Sequence, residues 1–239
     1  MKKYISFSLW GDKPVYTIGA IKNAELVSLI YPDYSMVVFH DDTVPVSILS
    51  ALKQLNVELI NMHNSLINPL FWRFLVLDRN DCELAIFRDC DSRISKREKL
   101  AVDDWINSLA ILHVMRDHPY HEIPFGTNRK GILGGMWGMR GVNVLIKKRI
   151  ETYIVGREQS YGIDQSFLQI IFEEFLYSVK VHDEFFDNKP FPIKRKNYRF
   201  VGERINEFDE PIGDDWIVIK EYYKRIRPSF FRKIKSLFK

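Results

Sequence analysis

Asp89 and Asp91 stand one residue apart at the end of a short apolar run, Leu84 to Phe87, within the segment ELAIFRDCDSR. At alternate positions of an extended chain their side chains point the same way. Two hard oxygen donors so placed, joined by a third ligand from elsewhere, suit Mg²⁺ or Mn²⁺ carrying a diphosphate. The run is too short for a helix of its own and reads as a buried strand. In an open α/β sheet ligands bind outside the carboxyl ends of such strands, which would set both aspartates where chemistry is done. The same pair also reads as an acidic turn, since Asp is a good turn residue.

Other residues invite chemistry more weakly. Arg73 lies inside the apolar stretch LFWRFLVLD, where a buried charge needs a partner: a carboxylate in the ordinary case, a phosphate in the functional one. Asp164, in YGIDQ, falls at or near a helix start, where capping is its common role. His182 follows at the end of a late strand, Val179 to Val181, and reads as a third metal ligand or an ordinary satisfied histidine. His113, His118 and His121 lack the spacing that puts two zinc ligands on one helical turn. Five glycines in GILGGMWGMRG (131–141) let backbone approach a ligand or make a bend beside the sheet. They match neither a dinucleotide fingerprint nor a P-loop.

These groups need a scaffold. Tyr4 to Leu9 alternates as a first strand, and Gly11 and Pro14 punctuate its end. Apolar residues between Val15 and Ile30 recur at helical spacing until Pro32. Ser35 to His40 is a second strand, Pro45 opens a second helix, and Val57 to Met62 is a third strand. That order, βαβαβ, begins a doubly wound nucleotide-binding sheet. Further helices are expected over LFWRFLVLD, over Ser95 to Ala110 behind a Ser95/Glu98 capping box, over Asn143 to Val155, and after Asp164 with Phe167, Leu168, Ile171, Phe172 and Phe175 as its buried stripe.

With 239 residues, 46% of them apolar, the chain can bury a sizeable core. Eight basic residues and one acidic residue between 220 and 239 give that stretch a charge of +7, so the net +4 leaves −3 on the remainder. A mildly acidic body argues against nucleic acid as a partner. Cys82 and Cys90 flank a strand, too far apart to bridge without a sharp reversal, which suits a reducing compartment. The N-terminus reads as a strand rather than a secretory signal, and no run approaches the roughly 18 apolar residues of a membrane span. A cytoplasmic protein is expected, with one domain over 1–212 and a basic amphipathic tail over 213–239. In that tail, residues 229–239 place Phe230, Phe231, Ile234, Leu237 and Phe238 on one stripe with Arg232, Lys233, Lys235 and Lys239 mostly opposite. This suits peripheral docking on an anionic membrane surface at its inner face, or packing on protein.

Taken together, βαβαβ, Arg73, Asp-Cys-Asp, the Gly134-Gly135 pair, Gly-Ile-Asp-Gln and His182 followed by Lys189-Pro190-Phe191 resemble the GT-A glycosyltransferases. Within them the order looks most like the retaining galactosyl- and glucosyltransferases related to glycogenin. RDCDSR, MRDHPYH and GGMWG also look like a group of bacterial and viral sequences described as glycosyltransferases. The resemblance runs to about Arg204 and departs at Phe191, where the family carries tryptophan.

It implies an α/β, Rossmann-like, mixed but mainly parallel sheet flanked by helices. It further implies Asp89, Asp91 and His182 as ligands of Mn²⁺ or Mg²⁺, and Arg73, Gly134, Gly135 and Lys189 at the nucleotide-sugar, Lys189 on its diphosphate. Asp164 and Gln165 would sit near the anomeric carbon. The implied activity is transfer of a sugar from a nucleotide-sugar donor to a glycan or lipid-linked acceptor, in surface polysaccharide synthesis. Two alternatives stand beside it: a metal-dependent sugar nucleotidyltransferase, and a non-catalytic sugar- or partner-binding module on the same scaffold.

Overall fold

The computed structural model describes residues 1–141 and 143–226. Strand β1 (Lys2–Leu9) runs into a turn at Gly11 (φ +72°) and helix α1 (Pro14–Ile30), which Pro14 opens at its first position. The buried residues Thr17, Ala20, Asn23, Ala24 and Val27 recur every three or four positions and lay α1 on the sheet. Strand β2 (Tyr34–His40), helix α2 (Val46–Gln54) and strand β3 (Glu58–Asn61) complete the βαβαβ unit.

The expected helix over LFWRFLVLD is instead a single α-turn, α3 (Pro69–Trp72), that tightens into a 3₁₀ turn over Arg73–Asp78. Buried serines of β1 hold that turn in place. Ser8 Oγ accepts from Arg73 N at 3.0 Å, and Ser6 Oγ donates to Arg73 O at 2.6 Å. There follow β4 (Cys82–Phe87), α4 (Lys96–Ile106), β5 (Leu112–Arg116), β6 (Trp137–Arg140), α5 (Ile146–Ile154), α6 (Ile163–Glu174), β7 (Val179–Asp183) and α7 (Asp215–Ile226).

The seven strands form one sheet in the order β3-β2-β1-β4-β6-β5-β7. Only β6 runs antiparallel to its neighbours, so the sheet is mixed and mainly parallel, as expected. Helices cover both faces. On one, Phe71, Phe74, Trp137, Phe167 and Ile171 pack beneath the 3₁₀ turn, α5 and α6; on the other, Ile5, Val38, Ile86 and Trp105 pack beneath α1, α2 and α4. Phe74 meets Phe87 and Trp137 edge-on at ring-centroid distances of 5.3 and 5.1 Å, stiffening the carboxyl end of β4. Such aromatic pairs contribute ~0.5–1.5 kcal/mol each beyond area burial.

The carboxyl ends of β1 and β4 lie side by side, with β2 and β3 on one flank and β6, β5 and β7 on the other. That is the topological switch point of a doubly wound sheet, the usual place for a ligand.

The domain boundary expected at residue 213 is not a break in packing. Helix α7 docks on the body: Ile219 is fully buried, Tyr223 Oη donates to Glu184 Oε2 at 3.0 Å, and Asp215 O lies 2.8 Å from His118 Nε2. The amphipathic segment 229–239 lies outside the described residues. Among the described residues no helix is long and apolar enough to cross a membrane. Cys82 and Cys90 are both free and buried.

Candidate active site

The chain leaves β4 through a turn that fixes Asp89 and Asp91. Arg88 folds inward, Nε to Glu98 at 2.7 Å and Nη1 to the carbonyls of Phe87 and Trp137 at 2.6 and 3.0 Å. Glu98 is thereby diverted from the capping box: Ser95 Oγ caps Glu98 N at 3.3 Å, while the glutamate side chain serves Arg88. The turn is clamped onto α1 by Asn23, whose amide donates to Ser92 O at 2.8 Å and accepts from Ile94 N at 3.1 Å. Gly19 lets the helix come this close, because a Cβ there would stand 2.1 Å from Cys90 O.

Arg73 reaches across from the 3₁₀ turn. Its Nη1 donates to Asp89 Oδ1 and its Nη2 to Asp164 Oδ2 at 3.1 Å, while its buried Nε has no partner among the described residues. Asp164 is not the cap of α6; Gly162 holds that position at φ +89°. Asp164 stands in the first turn, 3% exposed. Gln165 lines the same cleft with a buried Oε1 that has no partner among the described residues.

Gly134 and Gly135 close the cluster from the segment before β6. A Cβ on Gly134 would lie 2.5 Å from Arg73 Nη2 and 2.6 Å from Asp164 Oδ2, and one on Gly135 2.0 Å from Asp89 Oδ2. Bare backbone is what lets three charged side chains converge here.

Crowding shapes the electrostatics. Burial and the neighbouring Asp89 charge push the Asp91 carboxyl up to about 6, against its backbone hydrogen bond and the Arg204 and Arg73 cations. Burial pushes Asp164 up and Arg73 pulls it back. The two carboxylates of Asp89 and Asp91 are the hard oxygen donors a Mg²⁺ or Mn²⁺ ion requires, and such an ion commonly takes one or two protein carboxylates with phosphate and water completing its shell. The donor set therefore fits a divalent cation arriving with a phosphate ligand. Among the described residues no three His, Cys, Asp or Glu side chains converge into a cage.

The third-ligand expectation for His182 is not met in this fold. β7 is separated from β4 by β6 and β5, which at about 4.8 Å per strand is roughly 14 Å. Strand alternation turns His182 toward α4, where its Nε2 meets Asp104 at 3.0 Å and its Nδ1 meets His113 Nε2 at 2.9 Å. Lys189 is likewise absent from the cleft. Its backbone bridges to Asp183 and it borders a separate depression with His182, Lys180 and Asp104.

The cleft itself, about 850 Å³, gathers Arg73, Asp89, Asp91, Gly134, Gly135, Asp164 and Gln165. It also admits His118 and His121 after β5, which the sequence reading weighed only as zinc ligands, and residues to which that reading gave no role: Tyr16 from α1, Tyr161 ahead of α6, and Arg204. Burial depresses both histidines, His121 to about 3, leaving them neutral. Tyr161, two residues before Ile163, was findable from its place beside the helix start; Arg204 carried no such signal.

No protein-family model matches the chain, and no curated protein matches it in sequence. Solved structures do match in shape. The galactosyltransferase LgtC, in complex with donor and acceptor sugar analogues, is 14% identical over 76% of this chain and 73% of its own, with a TM-score of 0.50. A 4-diphosphocytidyl-2C-methyl-D-erythritol synthase from Anaerococcus prevotii is 12% identical over 81% of this chain and 93% of its own, at 0.51. A glucose-1-phosphate thymidylyltransferase from Bacillus anthracis is 12% identical over 76% and 86%, also at 0.51. At such identities the likeness establishes the fold, and the fold is GT-A, a Rossmann-like sheet shared by glycosyltransferases and nucleotidyltransferases.

Proposed function

We propose that this chain is a divalent-metal-dependent glycosyltransferase that takes a nucleotide-sugar donor and delivers its sugar to a glycan or lipid-linked acceptor. The observation that carries the reading is the Asp89–Arg73–Asp164 chain of contacts at the switch point, with Asp91 beside it in an 850 Å³ cleft. Asp89 and Asp91 are assigned to Mn²⁺ or Mg²⁺, which when bound would neutralise charge building on a departing diphosphate.

Arg73 donates to Asp164 in a buried position, its charge opposing the rise that burial imposes on that carboxyl, and fixes the distance between the carboxylate pair and the floor of the cleft. From there Asp164 has two possible tasks. It takes the acceptor hydroxyl's proton if the transfer inverts configuration, or steadies the cation-like sugar, with Gln165 Oε1, if it retains. Exposed Tyr161 and Phe125, 5.1 Å apart between centroids, form an apolar rim against which a sugar face can stack.

A nucleotidyltransferase is the second reading, favoured by its presence among the matching folds. The loop after β1, Trp10-Gly11-Asp12-Lys13, offers one glycine and one lysine, thin provision for a triphosphate. Product analysis separates the two. With Mn²⁺, a panel of nucleotide-sugars and a glycan acceptor pool, the glycosyltransferase releases nucleoside diphosphate. Release of pyrophosphate from a nucleoside triphosphate and a sugar 1-phosphate, with no turnover of nucleotide-sugars, would replace it by the second reading.

A further inference from the structure

Five carboxylates line the cleft, those of Asp12, Asp89, Asp91, Asp164 and Asp215, against three cations, Lys13, Arg73 and Arg204. The neutral His118 and His121 add no charge. Arg73 is held by Asp89 and Asp164, whereas Arg204 and Lys13 make no ion pair or side-chain hydrogen bond among the described residues.

Arg204 differs from an ordinary surface arginine in how firmly its backbone is fixed. Ile205 N donates to Asp91 O at 2.6 Å, Ile212 N donates to Arg204 O at 2.9 Å, and the Ile205 side chain is 2% exposed. The preceding residues are anchored too, with Val201 N on Asp117 Oδ2 at 2.9 Å and Gly202 pressed against Met136. From this rigid base the guanidinium projects, exposed, within electrostatic reach of Asp91, Tyr16 and Tyr161.

We infer that Arg204 is the cation that binds the diphosphate of the donor nucleotide, in the place the sequence assigned to Lys189. The inference rests on the glycosyltransferase reading of the same cleft. An anion brought in beside Asp91 needs a second positive group once Arg73 is committed to Asp89 and Asp164. Arg204 supplies it from a loop tied by main chain to Asp91 itself. Its planar fork can meet two phosphate oxygens at once, which a lysine at the same place cannot. Lys189, beside His182 at the far strand, borders a separate depression and does not line this cleft.

The test is calorimetric titration of the full chain with Mn²⁺ and nucleoside mono- and diphosphates of the five common bases, using wild type, Arg204→Ala, Arg204→Lys and Lys189→Ala. Thermal melting confirms that each variant is folded, as the exposed positions of both side chains lead one to expect. Loss of one charge-assisted contact should raise the Kd of the best diphosphate about 10- to 100-fold in Arg204→Ala. Arg204→Lys should fall between, monophosphate binding should change less than about twofold, and Lys189→Ala should match wild type. Diphosphate binding by Arg204→Ala within twofold of wild type, equal loss of mono- and diphosphate, or a loss confined to Lys189→Ala would each overturn the assignment while leaving the functional reading in place. A wild-type protein that binds no nucleoside diphosphate would overturn both.

Discussion

Arg73 Nη2 donates to Asp164 Oδ2 at 3.1 Å across 91 residues of sequence, and both side chains are about 95% buried. A buried ion pair is weak support for stability, but its rupture is costly because the remaining charge is stranded. Asp164→Ala and Arg73→Ala should each destabilise the fold by roughly 2–4 kcal/mol. The double variant should fall short of the sum by about 1–3 kcal/mol. Urea denaturation of the four proteins measures this coupling, and strict additivity would mean the pair does not act as a unit.

Asp164→Asn separates position from charge. Gly162 caps the helix, so the change removes no cap. As proton acceptor or charge stabiliser, Asp164 should cost about 10²-fold or more in turnover when neutralised, with Mn²⁺–nucleoside diphosphate binding retained. Steady-state transfer assays beside calorimetry check both halves.

Asp91 should make the metal-free protein pH-sensitive. Its folded carboxyl titrates at about 6, above the ordinary ~3.9 of the unfolded chain. The folded state therefore holds the proton more tightly. The stability this contributes is complete below about pH 4 and is lost as pH rises through 6. Asp91→Asn should accordingly match wild type near pH 4 and exceed it by on the order of 1–2 kcal/mol at pH 7, measured by denaturation in chelator. Mn²⁺ reverses the sign, since its binding competes with the same proton and strengthens between pH 5 and 7.

The glycines offer a steric test. A Cβ at Gly135 would overlap the Asp89 carboxylate, a movable side chain, whereas one at Gly141 would overlap Cys82 O, fixed backbone, at 1.9 Å. Gly135→Ala should fold and lose about tenfold or more in Mn²⁺–nucleotide affinity by displacing Asp89. Gly141→Ala should lower the melting temperature and leave affinity per folded molecule unchanged. The reverse pattern would remove Gly135 from the site.

Much of this was legible in the sequence because it depended on local pattern. The βαβαβ opening came from 2.0 and 3.6 periodicities cleanly punctuated by Gly11, Pro14, Pro32 and Pro45. Asp89 and Asp91 declared themselves at a strand end, and Arg73 by being a charge in an apolar run. Strands β5 and β6 were hidden. β5 carries the buried polar residues His113 and Arg116, and β6 lies in a glycine-dense segment where a Cβ on Gly138 would stand 2.9 Å from Ile86 Cγ2 and 3.0 Å from Ala85 O. With β6 and β5 unseen, the distance of His182 from β4 could not be read, nor which face strand alternation would give it. Arg204 depends on a main-chain contact between residues 205 and 91, for which sequence holds no pattern.

The central claim is that Asp89 and Asp91 hold a divalent cation that in turn holds a nucleoside diphosphate. Thermal shift with nucleoside diphosphates, with and without Mn²⁺, on wild type, Asp89→Ala and Asp91→Ala tests it directly. A ligand present at a hundred times its Kd stabilises by ~2.7 kcal/mol, a shift of several degrees at least for a chain of this size. The account predicts that shift in wild type only when Mn²⁺ and diphosphate are both present, and its loss in either variant. Equal stabilisation of the variants, or stabilisation of wild type by the diphosphate without metal, would contradict it.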